Sequence, residues 1–381
     1  MINKWAYLLT HALKLYLMST LSKPMQKFKL SADKSVAKVL NELSISLAIS
    51  TYQAGRIIFL SSKDGETISQ VPIPFKKPMG IAIQNDRLAV ATLTDVQVFS
   101  KGNNEKGQRP EGLEGFESLF LPRATFYSGD LDLHDLEFGK GGLWAVNTRF
   151  SCLCTFDVEN SFKPRWKPPF ISKLAPVDKC HLNGLAVKDG MPVFVTALGK
   201  GDKGNSWREN ITSGGILMSV PSGEIILEGL AMPHSPRIIN GELYLLLSAT
   251  GELIKVNIEE QTHEVIYKTN GFTRGLAHHG DYVFMGVSQA RKSSKTFNKL
   301  PVTEMRKHAG IIVYNLKRNE LVGEIKYENT VEELFEVKVV KDSIHSAVLP
   351  SSDHRHLQSL VIEKSAFWSK NKNENKNENE N

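Results

Sequence analysis

One short pattern recurs four times from His134 onward, and it limits the chain to folds built from repeated hairpins. The copies are His134-Asp135-Leu136-Glu137-Phe138, Asn183-Gly184-Leu185-Ala186-Val187, His234-Ser235-Pro236-Arg237-Ile238 and Arg274-Gly275-Leu276-Ala277-His278. A turn rich in Gly, Asn and Asp follows each, for example Lys188-Asp189-Gly190 or Asn240-Gly241, and then a second apolar run. An earlier copy, Met79-Gly80-Ile81-Ala82-Ile83, keeps the same frame. The copies are roughly 40 to 55 residues apart, the repeat length of a four-stranded propeller blade.

Burial explains why this pattern means a blade. An uncharged run, a tight turn and a β-branched or aromatic run make a hairpin whose strands are both largely buried. No copy can bury both faces alone, whereas copies packed around an axis bury one another, with the leading strand innermost. Gly80, Ala82, Gly184, Ala186, Gly275 and Ala277 suit a centre where strands crowd together. A large β-sandwich is the competing architecture.

Residues 44–50, 56–60 and 67–72 read as three strands, which leaves the first blade one strand short. Leu334-Phe335-Glu336-Val337-Lys338-Val339-Val340 reads as a leading strand with little after it. Joining the two closes the ring and removes the open edges. The expectation is an all-β, six-bladed β-propeller closed by a C-terminal strand in the N-terminal blade, or seven blades if residues 114–129 hold extra strands. One propeller domain is expected over residues 41–362. Residues 1–40 are read as an extension, either helical or an overlong start with Met18 or Met25 first. Residues 363–381, ending in a Lys-Asn-Glu repeat, are read as a disordered tail.

Composition excludes several function classes. The formal charge of +6 is spread over the first forty residues and exposed turns, and no run pairs basic with aromatic residues, so nucleic acid is not an expected partner. The apolar stretch in residues 2–22 is interrupted by Thr10, His11 and Lys14 and is too short and polar to span a bilayer. There are three cysteines, Cys152, Cys154 and Cys180. A Cys-x-Cys with Cys180-His181 has the residue types for zinc or copper, but reduced core thiols of a cytoplasmic protein are the simpler reading.

The residue opening each leading strand is Met79, His134, Asn183, His234 or Arg274, with Glu332 or Glu333 in the closing copy. These positions fall at one end of the central channel, and five of the six are polar where a structural channel would be apolar, so this end is the candidate pocket. His134, His181 and His234 have the chemistry to hold a divalent metal ion through neutral imidazoles, against the plainer reading of a hydrogen-bonded plug. Arg274 suits a carboxylate or phosphate, unless Glu332 or Glu333 satisfies it. Arg237 is strand-borne, a position from which its side chain can point away from the pocket. The aromatic and proline segment Phe162-Lys163-Pro164-Arg165-Trp166-Lys167-Pro168-Pro169-Phe170 reads as a lid or inter-blade cover, and the Gly-rich connector carrying Asp202 and Trp207-Arg208 as a pocket-shaping insertion.

Five stretches together are specific: Asn147-Thr148-Arg149-Phe150-Ser151-Cys152-Leu153, Lys179-Cys180-His181-Leu182-Asn183-Gly184, Trp207-Arg208, Met232-Pro233-His234-Ser235-Pro236-Arg237 and Gly271-Phe272-Thr273-Arg274-Gly275-Leu276. Over about residues 40–350 they resemble a bacterial family of conserved hypothetical proteins, some fused to tetratricopeptide repeats. The sequence departs from that pattern with Lys179 in place of an Arg and Ala309 in place of a Cys. The resemblance implies the propeller and the ring of motifs; it implies no reaction.

Two function classes remain. One is a metal-dependent hydrolase or lyase for a small anionic substrate, with His134, His181 and His234 as ligands, a glutamate of Glu332 and Glu333 as base, and Arg274, Asn183, Arg237, Trp207 and Arg208 around the substrate. The other is a binding propeller that recognises a small anionic ligand or a protein partner without turnover.

Overall fold

The structure, a computed structural model, describes residues 28–289, 300, 302, 306–363 and 365–369. A short strand β1 (Leu30–Ala32) and helix α1 (Lys34–Glu42) lead into β2 (Ser46–Thr51), β3 (Arg56–Ser61) and β4 (Ser69–Pro74). The second blade is β5 (Ile81–Gln84), β6 (Arg87–Ala91), β7 (Val96–Lys101) and β8 (Ser118–Phe126). The third is β9 (Leu133–Gly139), β10 (Gly142–Asn147), β11 (Cys152–Thr155) and β12 (Lys163–Trp166). The fourth is β13 (Leu182–Lys188), β14 (Met191–Ala197), β15 (Gly215–Ser219) and β16 (Ile225–Leu230). The fifth is β17 (Pro233–Ile239), β18 (Glu242–Leu247), β19 (Glu252–Asn257) and β20 (Thr262–Lys268). The sixth is β21 (Phe272–His279), β22 (Tyr282–Ser288), β23 (Gly310–Asn315) and β24 (Glu320–Tyr327).

The ring closes through β25 (Glu336–Val340), which pairs antiparallel with β2 from Ser46↔Val340 to Ser50↔Glu336 and becomes the innermost strand of the first blade. Among the described residues there are six such antiparallel sheets in a ring, the arrangement of a six-bladed β-propeller. Residues 114–129 supply one strand, β8, and no seventh blade. Two blades carry a fifth strand: β1 extends the sixth, and β26 (Ser346–Val348) runs parallel to β8 on the second. Each covers a row of unpaired backbone groups that would otherwise be an open edge.

The core is divided among the blade interfaces. Phe59, Phe99 and Phe120 fill the space between the first and second blades, Leu217, Leu245 and Ile254 that between the fourth and fifth, and Leu276, Met285 and Leu246 that between the fifth and sixth. Val36 and Leu40 of α1 pack with Ile58, Phe284 and Val337, so the helix seals the seam where the chain ends meet. The crowding expected at the axis is real at two glycines. A Cβ on Gly184 would lie 2.4 Å from Pro236 Cδ, and one on Gly275, whose φ is +80°, would lie 2.7 Å from Val337 N.

Two sequence expectations are corrected. The segment from Phe162, read as a lid or inter-blade cover, contains the outer strand β12 and is no lid, while Trp166 Nε1 donates to Pro221 O at 2.9 Å on the next blade, the contact of an inter-blade cover. Residues 365–368, expected to lie in a disordered tail, instead form β28 (Ser365–Trp368), which pairs with β27 (Ser359–Ile362), and Trp368 is buried with its Nε1 on Glu105 Oε2 at 2.8 Å. Apolar residues Ala366 and Trp368 interrupt the charged composition there and find the second blade. The readings of residues 2–22 and 370–381 lie outside the described residues.

Candidate functional site

Four inner strands carry a register shift just after they begin: Ala145/Asn147 opposite β9, Leu182/Gly184 in β13, His234/Arg237 in β17 and Thr273/Leu276 in β21. A bulge re-aims side chains at a strand end, and here it separates two groups of residues that the sequence frame placed on one level. One group closes the channel interior and the other borders its mouth.

The interior group is built on Arg237. Its Nη1 donates to Asp135 Oδ2 at 2.9 Å, and its Nη2 to Glu336 Oε2 at 3.0 Å and Asp135 Oδ1 at 3.3 Å. Further bonds run from Nη1 to Leu185 O at 2.9 Å and from Nε to Leu276 O at 3.1 Å. The guanidinium therefore ties its own strand to β9, β13, β21 and β25. Lys338 adds an ion pair to Glu137 and stands 4.0 Å from Asp135. Burial opposes the charge on Arg237, but Asp135 and Glu336 outweigh it and hold the guanidinium protonated. Burial likewise raises the Glu336 carboxyl above its ordinary range, with Arg237 and Lys338 pulling against it. Arg237 thus sits in a saturated structural network; its expected place beside a substrate is not where the fold puts it.

The mouth group is built on histidines. His134 Nδ1 lies 3.0 Å from Asp132 O and 2.8 Å from Thr148 Oγ1, and Thr148 gives its own hydroxyl proton to Leu182 O at 2.6 Å. His234 repeats this on the fifth blade, with Nδ1 2.9 Å from Met232 O and 2.8 Å from Ser248 Oγ, whose proton goes to Thr273 O at 2.6 Å. Carbonyl oxygens only accept and both hydroxyl protons are already committed, so Nδ1 carries the proton in each ring. Nε2 is then the acceptor nitrogen, and in neither ring does it have a partner among the described residues. Burial first, and then the charge of Arg274, disfavour the imidazolium in both rings; Asp132 offsets this only in part at His134, whose pKa falls to about 4, while that of His234 falls well below its ordinary value.

His181, with φ at +51°, stands on the loop before β13. Asp178 accepts its backbone N–H at 3.0 Å, its Nδ1 at 2.8 Å and Trp207 Nε1 at 3.0 Å. Burial pushes the Asp178 carboxyl up, but His181 and these hydrogen bonds prevail and hold it below its ordinary value. The rings form a chain across the mouth: Trp207 to His181 at 4.2 Å, His181 to His134 at 4.8 Å, and His134 to Phe335 at 5.2 Å. Arg274 Cζ lies 3.5 Å from the centre of the Phe335 ring, and Arg208 stacks on Trp207 at 4.2 Å.

The fold therefore brings His134, His181, His234, Arg274 and Trp207 into one neighbourhood. Asn183 is buried beside them; its Oδ1 accepts from Thr196 Oγ1 at 2.7 Å, and its Nδ2 is buried without a hydrogen-bond partner among the described residues. In the closing strand Glu336, not Glu332 or Glu333, opens the ladder, and Glu332 is exposed with its carbonyl taking the Gln289 N–H at 2.9 Å. Among the described residues no three His, Cys, Asp or Glu side chains are grouped to hold a metal ion. Cys152, Cys154 and Cys180 are buried free thiols, with burial raising Cys152 and Cys180 to about 12. Sequence reasoning missed Phe335, Asp178 and the two hydroxyl partners. A signal for the last existed: Thr148 follows His134 and Ser248 follows His234 by the same 14 residues.

Residues 34–349 match the model of a family described as a domain of unknown function (DUF4915). The chain belongs to that family. Among solved structures, this family member is similar to a chain of a nidogen/laminin complex, with 10% identity and a TM-score of 0.50, covering 78% of this chain and 99% of that one. It also matches TolB from Acinetobacter baumannii, with 10% identity and a TM-score of 0.45, covering 77% of this chain and 66% of that one. The likeness to the nidogen/laminin chain concerns the fold alone. No curated protein matches the sequence. No helix among the described residues is long and apolar enough to cross a membrane.

Proposed function

We propose that this propeller binds a small anion at the channel mouth and performs no chemistry on it. The observation that carries the reading is the Arg274 guanidinium on the face of Phe335, with two imidazoles nearby that are held neutral. The Arg274 cation stands beside rings that supply no acid–base partner poised near neutral pH at His134 or His234, which suits capture of a carboxylate or phosphate more than proton transfer. Asn183 Nδ2 adds a hydrogen-bond donor in the same register. Arg208, stacked on Trp207, extends the positive rim. The metal-dependent reading would need His134, His181 and His234 to turn their Nε2 atoms to one ion beside Arg274, and like charge works against that.

Thermal melts of the full chain against a panel of small carboxylates and phosphates test the reading. At least one anion is expected to raise the melting temperature in the wild type and to lose that effect in Arg274→Ala, with partial recovery in Arg274→Lys, since a lysine keeps the charge but not the fork. A panel without effect on the wild type, or a shift that Arg274→Ala leaves intact, rejects it. Stoichiometric metal after reconstitution, lost in each histidine-to-alanine variant, would establish the metal centre instead.

A further inference from the structure

We infer that the anion is a hydroxylated carboxylic acid, with two of its hydroxyls donating to His134 Nε2 and His234 Nε2 while Arg274 holds the carboxylate. This rests on the anion reading above and adds what the mouth selects for. The histidine arrangement is duplicated. Two histidines on different blades have the same fate: Nδ1 donates to the carbonyl two residues back and to a hydroxyl 14 residues on, and that hydroxyl is spent on the next blade's first turn, at Leu182 O or Thr273 O. Both rings are thereby fixed in one tautomer and one orientation from outside the mouth. What each offers inward is a single acceptor nitrogen.

An acceptor calls for a donor. The available classes are a metal cation, an ammonium group or a neutral O–H or N–H. Among the described residues no three metal-ligating side chains are grouped there, and at His234 the charge of Arg274 disfavours an ammonium. A neutral hydroxyl carries no such penalty. Phe335 beside His134, at 5.2 Å, and Phe272 beside His234, at 6.2 Å, offer apolar ring surface to the carbon skeleton that joins the hydroxyls to the carboxylate. A site built to accept hydrogen bonds discriminates strongly against an analogue lacking them, because its polar atoms are then left unsatisfied.

Calorimetric titration of the full chain with matched pairs of acids, gluconate against hexanoate and glycerate against propanoate, tests this. The hydroxylated member of each pair is expected to bind about tenfold or more tighter, from two hydrogen bonds. His134→Leu and His234→Leu should each reduce that preference, with circular dichroism confirming the fold. Imidazole nitrogen NMR of the wild type supplies a readout that needs no variant: gluconate should shift two Nε2 resonances while both Nδ1 atoms stay protonated, and hexanoate should not. Equal affinity within each pair leaves the anion site standing and overturns the hydroxyl selection. Binding of inorganic phosphate with none of the four acids overturns it too, and the absence of any anion binding removes both readings. A metal ion found on the imidazole nitrogens overturns it by occupying the acceptors.

Discussion

The interior and the mouth of the channel are lined by the same six strands, yet they manage polar groups in opposite ways. In the interior, charges meet charges: Arg237 serves Asp135 and Glu336, and Lys338 serves Glu137. At the mouth, polar groups are anchored from behind and left open in front, as with the histidine pair and the Asp178–His181 couple. The contrast separates two jobs that a residue list confuses. A saturated buried network fixes how strands converge, since an unpaired charge there is costly. A half-satisfied rim is where a ligand completes the count.

The largest expected effect breaks the interior. Arg237→Ala strands two buried carboxylates and should cost about 3 to 5 kcal/mol of stability in denaturant unfolding. Arg237→Met with Asp135→Asn and Glu336→Gln should recover much of this, because no uncompensated charge then remains. If Arg237→Ala melts like the wild type, the pinning role assigned to the interior is wrong.

The next sharpens the comparison by pH, because the two regions titrate with opposite sign. His134 and His234 have lowered pKa values in the fold, so their contribution is complete above about 6.5, the unfolded value, and is lost as pH falls through about 4 at His134. That loss should reach about 3 kcal/mol for His134. Glu336, raised in the fold, contributes fully below its unfolded value and loses that contribution as pH rises through its folded one. Melting temperatures across pH 4 to 8, roughly this window, should therefore lose their acid-side fall in a His134→Gln, His234→Gln double variant. They should lose their decline toward neutral pH in Glu336→Gln. Unchanged profiles in both variants would mean that neither region governs the pH response.

The smallest effect touches the anchors. Thr148→Val and Ser248→Ala each remove a hydroxyl that links an imidazole to a neighbouring blade, and each should cost about 1 kcal/mol. The more telling change is in ligand binding, where the freed ring should weaken the hydroxyl preference while leaving the response to Arg274→Lys intact. A variant that loses stability but keeps the preference shows that the hydroxyls are structural only.

The site was partly legible before the fold. The register frame singles out His134, His234 and Arg274, and in the structure the charge of Arg274 reaches both imidazoles. Arg237, grouped with them around the substrate but strand-borne and able to point elsewhere, is sent inward by the bulge in β17. The frame puts Glu332 and Glu333 where Phe335 and Glu336 stand, since the closing copy lacks the Gly and turn that set the register elsewhere. Asp178 was missed because it lies in a loop five residues before Asn183, outside any repeat position.

The sequence by itself determined the blades and narrowed their number to six or seven, because hairpin turns and buried apolar runs are local and repeat down the chain. The closing strand followed from counting, as an orphan strand and a missing one need each other. Only the tertiary structure decided which polar residues pair and which stay open. Asp135 and Arg237 are 102 residues apart, and Lys338 and Glu137 are 201 apart. Whether such groups meet depends on how bulged strands converge on an axis, where a shift of one residue exchanges the channel interior for its mouth, and no short-range pattern in the chain records that convergence.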